Sequence, residues 1–100
     1  MKTRKMKCSD YGISRTEMTR LKKYCKNYTD DESDELLKDA ARAANASIAN
    51  RLYDSIRNGK SYEKLDRESY MPISKVDFYG YRRKCLYTFK NLLLFCGKWK

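Results

Sequence analysis

The sequence predicts an all-α fold: a small bundle of about five helices with a C-terminal helix-turn-helix and a long last helix. Three observations predict it. Apolar residues recur at three- and four-residue spacing through most of the chain. Ser14, Ser61 and Ser74 stand just ahead of such runs, where helix N-caps belong. Asn58-Gly59 and Gly97 follow them as stop signals.

Residues 1–13 read as a basic arm, probing phosphates or a minor groove, or serving only as a soluble tail. Lys2, Arg4, Lys5 and Lys7 stand there with no apolar pattern, and Asp10-Tyr11-Gly12-Ile13 reads as a turn. Residues 14–100 then form one helical domain. Ser14 and Glu17 make a Ser-x-x-Glu capping box for a helix running to about Asn27. Met18, Leu21, Cys25 and Tyr28 form its apolar stripe, with Tyr24 beside them. Arg15, Arg20, Lys22, Lys23 and Lys26 occupy the rest of its surface.

Asp30, Asp31, Glu32, Asp34 and Glu35 precede an Ala/Leu-rich run. A helix N-terminus favours such charges, because its free amides and its dipole are positive. The second helix therefore starts near Ser33. Ala40, Ala41, Ala43, Ala44 and Ala46 would let another helix come close. Ile48, Leu52, Tyr53 and Ile56 carry the stripe on to Asn58-Gly59. Two helices broken near Asn45 suit a chain of this size better than one of about 25 residues. Ser61 caps a short helix from Tyr62 to about Glu68, with Tyr62 and Leu65 facing inward.

Pro72 breaks the chain before the last helix, which Ser74 caps. Phe78, Cys85, Phe89, Leu92 and Cys96 fall on one line of it, and Tyr79, Tyr81, Leu86 and Leu93 flank that line. The opposite side carries Gly80, Lys84, Tyr87 and Asn91. Arg82 points into the apolar arc, so it should pair with a carboxylate or snorkel outward. Trp99 is placed to pack back on the core or to join a dimer contact.

Composition narrows the function. The chain carries a net charge of +10, which favours a polyanionic partner. The charge is segregated: residues 1–28 hold nine Lys and Arg against two acids, residues 29–58 four against seven, and residues 59–100 ten against four. Solubility alone does not need that segregation. The longest apolar run, Leu92 to Cys96, is far too short to span a membrane. No apolar stretch follows the N-terminal lysines, so no secretory signal is expected and a cytoplasmic location is.

Chemistry has little to work with. There is no histidine, no Gly-rich phosphate loop and no isolated carboxylate pair. Cys8, Cys25, Cys85 and Cys96 form no Cys-x-x-Cys pair. Cys25, Cys85 and Cys96 lie on apolar faces, as buried free thiols do. The expectation is a protein that is no enzyme and holds no metal or cofactor.

A short helix, a turn and a Ser-capped basic helix follow the order of a helix-turn-helix over about residues 61–96. Its second helix would present Lys75, Tyr79, Arg82, Arg83, Lys84 and Tyr87 to duplex DNA, with Gly80 on the open face for close backbone approach. Arg4, Lys5, Arg15 and Arg20 would add phosphate contacts. The block Asp77-Phe78-Tyr79-Gly80-Tyr81-Arg82-Arg83-Lys84-Cys85-Leu86, preceded by Pro72-Ile73-Ser74, resembles the C-terminal end of the ArpU/RinA-type phage transcriptional regulators. The resemblance covers roughly Ile48 to Leu94. It implies a phage or prophage DNA-binding protein of a Gram-positive host, with DNA contact at Lys75, Arg82, Arg83 and Lys84. Those regulators are in turn similar to the last helix-turn-helix of sigma factors; residues 63–74 here are longer than that helix and turn usually need, and the turn lacks the customary glycine. Partners under this reading are duplex DNA, RNA polymerase or another host protein, and a second copy of the chain. Two rival readings are a small phage-encoded inhibitor of a host nucleic-acid enzyme, of the anti-CRISPR kind, and an RNA-binding module whose tyrosines stack on bases.

Overall fold

The computed structural model describes residues 13–99 of the 100-residue chain. The expected basic arm, with Arg4, Lys5 and Cys8, lies outside the described residues apart from Ile13. Five α-helices follow in order: α1 Arg15–Asn27, α2 Asp31–Ala44, α3 Ala49–Asn58, α4 Tyr62–Glu68 and α5 Lys75–Phe95. Among the described residues there is no strand.

The helix starts follow the serines. Ser14 Oγ accepts from the Glu17 amide at 3.1 Å, Ser61 Oγ from the Lys64 amide at 3.2 Å, and Ser74 Oγ from the Asp77 amide at 3.2 Å. Each satisfies one of the amides that a helix start leaves open. The start of α2 differs from the expected one. Asp30, not a residue near Ser33, is its N-cap and accepts from the Ser33 amide at 2.9 Å. Ser33 is left buried inside the first turn, hydrogen-bonded through its hydroxyl to Tyr24 at 2.7 Å.

The long central run is two helices. Asn45 turns to an extended conformation, its side-chain oxygen accepts from the Ser47 amide at 3.0 Å, and a short 3-10 turn, Ala46–Ile48, redirects the chain. Helix α3 ends at Gly59, whose φ of 72° favours glycine. After α5, Gly97 takes φ 74°, and the amides of Gly97 and Lys98 donate back to the carbonyls of Leu94 and Leu93 at 3.1 and 2.8 Å. That is a Schellman closure.

Helix α5 is the central element, and its most extensive partner is α2. Ala40 and Ala41 of α2 are fully buried, so the two backbones can come close. Phe78, Cys85, Leu86, Phe89 and Leu93 of α5 are buried with Leu21 and Cys25 of α1 and Leu52 and Ile56 of α3. Gly80 is buried as well, which corrects its expected place on an open face. The reason is the spread of apolar groups around α5. Tyr79, Tyr81 and Tyr87 pack beside the stripe, and a helix apolar around most of its circumference is enclosed rather than presented. Cys96 is the second correction. It is exposed, because it is the C-cap at which the chain turns away. Trp99 covers that end of the core instead, edge-on to Tyr24 with ring centroids 6.0 Å apart.

Two polar clusters bind the helices together. Arg57, near the end of α3, donates to the carbonyls of Cys25 and Tyr28, both at 2.8 Å, and lies 3.8 Å over the Tyr28 ring. It thereby closes the open carbonyl end of α1. Asp34 of α2 accepts hydrogen bonds from the hydroxyls of Tyr28 and Tyr53. Those two hydroxyls hold its carboxyl down at about 2. The thiols of Cys25 and Cys85 are pushed up to about 12 by burial, so both are neutral hydrophobes at physiological pH.

Candidate nucleic-acid interface

Among the described helices, α1 carries the densest positive charge. Its thirteen residues carry Arg15, Arg20, Lys22, Lys23 and Lys26 against one acid, Glu17. The helix buries Met18, Leu21 and Cys25, which turns all five cations to the other side, where they are exposed. Arg15, Lys22 and Lys26 stack at i, i+7 and i+11, with Lys23 beside them. Glu17 does not neutralise them. Its carboxylate is held by Lys90 of α5 at 2.9 Å and accepts from the Trp99 indole at 3.4 Å, and the Lys90 bond lowers its pKa. Among the described residues, Arg15, Lys22, Lys23 and Lys26 make no ion pair. Arg20 lies 4.8 Å over the Trp99 ring.

A cleft opens on each side of this ridge. One, of 350 Å³, is lined by Arg20, Lys23, Tyr24, Asn27 and Trp99. The other, of 260 Å³, lies between α1, the α3–α4 turn and α5, and is lined by Lys22, Lys26, Lys60, Tyr79 and Arg82 with Ser55, Ile56, Gly59 and Ser61. The start of α2 has the opposite sign: Asp30, Asp31 and Glu32 are exposed, and Lys98 bridges Asp30 and Glu32 at 3.1 and 3.5 Å.

The structure distributes the residues expected on α5. Lys75 is exposed and paired with Glu63 of α4, which raises its pKa. Tyr79 is half-buried, and its hydroxyl accepts from the Tyr62 amide at 3.2 Å. Arg82, expected to pair or snorkel, is half-buried and donates from Nε to the Ser55 hydroxyl at 3.1 Å. Arg83, Lys84 and Tyr87 are half-buried too. The order of a short helix, a turn and a Ser-capped helix is present, and Tyr62 ties α4 to the turn before α5 by donating to the Ile73 carbonyl at 2.6 Å.

No family model, curated protein or solved structure matches this chain.

Of the residues singled out in the sequence, Arg15 and Arg20 lie on the α1 ridge, and Arg82 and Tyr79 reach the cleft beside it. Lys22, Lys23, Lys26 and Lys60 join them and were not singled out. The five-to-one charge ratio of α1 was the signal for the first three. Lys60 had no local signal, since only the fold brings it to α1. No described helix is long and apolar enough to cross a membrane.

Proposed function

We propose that the protein binds duplex DNA and acts in transcription control, with its phosphate contacts centred on α1. The observation that carries this reading is the α1 ridge: five exposed cations whose one local acid is engaged by Lys90. Phosphate contacts position a protein on DNA and supply much of its affinity. The resemblance of residues 77–86 to the ArpU/RinA-type phage regulators points to the same class of partner, and Lys75 with the half-buried Arg83 and Lys84 would lie at the margin of the contact. RNA polymerase or a second copy of the chain would be engaged elsewhere.

One observation favours the rival reading, a small inhibitor that docks on a host nucleic-acid enzyme. Phe95 is 91% exposed, and Leu94 beside it is exposed too. Titration of labelled duplex DNA at two salt concentrations, with and without competitor DNA, separates the two. Steep weakening with salt plus a competitor-resistant component supports the DNA regulator. Absence of binding at low salt rejects it and leaves the protein partner.

A further inference from the structure

We infer that the cleft between α1, the α3–α4 turn and α5 is a discrete site for one phosphate group. The inference rests on the polyanion reading above and places a single phosphate within it. Lys22, Lys26, Lys60 and Arg82 line the cleft, and no carboxylate does. Lys60 is already balanced by Asp54 at 2.9 Å and Glu68 at 3.0 Å, and the hydrogen bond it donates to Asp54 raises its pKa. Lys22 and Lys26 are not balanced: neither makes an ion pair among the described residues. Cations gathered around one small space repel one another, and an anion relieves that repulsion.

The uncharged groups select for the same kind of ligand. Ser55 Oγ accepts from Arg82 and donates to the Lys60 carbonyl at 2.7 Å. Ser61 Oγ is occupied as the cap of α4. Tyr79 Oη accepts from the Tyr62 amide, and its own proton has no acceptor among the described residues. The side chains of the wall thus offer donors from Lys22, Lys26 and Tyr79, while the oxygens of Ser55, Ser61 and Tyr79 each already accept one hydrogen bond. An acceptor-only, negatively charged ligand fits, and a tetrahedral oxyanion has that character.

Position and size agree. The Lys26 ammonium packs over Gly59, lying 3.8 Å from where a Cβ would be. The carbonyl end of α3 favours a cation there, so Lys26 is held in place with donors to spare. The cleft volume of 260 Å³ falls below the roughly 300–1,000 Å³ of pockets that engulf drug-sized ligands. One phosphoryl group suits it better than a whole nucleotide.

The test is an amide NMR titration of the full chain with sodium phosphate, against sodium chloride at matched ionic strength. Saturable shifts at residues 22–26, 59–61 and 79–82 with phosphate alone are expected. The Lys22→Gln/Lys26→Gln variant should weaken that response about tenfold or more, and Lys22→Arg/Lys26→Arg should restore most of it. Equal responses to phosphate and chloride, or a Gln variant that responds like the parent, overturn the site. Duplex DNA added to the same samples gives the second arm. Competition between DNA and phosphate assigns the site to a backbone phosphate. If phosphate saturates the cleft and DNA does not bind, the site stands for a free phosphate and the DNA reading falls. If DNA binds while phosphate leaves the cleft unmoved, the DNA reading stands and the site falls.

Discussion

Helices α1 and α5 are both basic and they use their charge differently. On α5, Arg82 is drawn inward to Ser55, Lys90 is engaged by Glu17, and Arg83 and Lys84 are half-buried. On α1, Arg15, Lys22, Lys23 and Lys26 face solvent without an ion pair among the described residues. The cause is how far apolar residues spread around each helix. Those of α1 fill one stripe and leave a continuous polar side. Those of α5 run around most of the helix, so its cations must share space with packed aromatic rings. A count of Lys and Arg along a helix therefore says less about a polyanion surface than the width of the apolar arc opposite.

That contrast can be broken by substitution. Phe89→Ala on α5 should destabilise the fold by about 3–5 kcal/mol, because Phe89 is fully buried. Urea unfolding reads this directly. Each of Lys22→Gln, Lys23→Gln and Lys26→Gln should stay within about 0.5 kcal/mol of the parent. A large loss from any of them would mean that α1's cations also serve the fold.

The scaffold beneath α1 has a pH signature. Asp34 is held at about 2 by the Tyr28 and Tyr53 hydroxyls, below its value in the unfolded chain. Its contribution is then complete above about pH 4 and is lost as pH falls through about 2. The loss amounts to about 2 kcal/mol. Asp34→Asn should remove that part of the acid dependence, and acid titration of both proteins checks it. An identical acid limb in the variant would show that the two hydroxyl bonds do not hold the charge.

Arg82→Gln should cost about 1.5 kcal/mol, since it leaves the buried Ser55 hydroxyl short of a donor. Thermal unfolding measures it. Lys75→Gln should cost under about 0.5 kcal/mol, because its pair with Glu63 is exposed on both sides. If Lys75 proved more costly than Arg82, the division between inward and outward cations would need redrawing.

Much of this fold was legible because its signals are local. The serine caps at 14, 61 and 74, the break at Asn45 and the glycine stops at 59 and 97 each act within a few residues. The inward stripe of α1 follows from spacing alone. The enclosure of α5 was not legible in the same way. Gly80, Lys84 and Tyr87 look like an open polar side until the packing of the whole helix is known. The cleft was less legible still. Lys22, Lys60 and Arg82 are far apart in sequence, and only the approach of α1 to the α3–α4 turn and α5 brings them together. The α1 cations were visible throughout as a charge ratio, but a helix-turn-helix order drew attention to α5 instead.

The most direct measurement is duplex DNA binding by fluorescence anisotropy across a salt series, comparing two variants with the parent. One is Lys22→Gln/Lys23→Gln/Lys26→Gln on α1, and the other is Arg83→Gln/Lys84→Gln on α5. The α1 variant should lose about tenfold or more in affinity, with its salt slope smaller by roughly one unit per lysine lost. The α5 variant should change less. Parent-like binding by the α1 variant, together with loss of binding by a fully folded α5 variant, would contradict a DNA contact centred on α1.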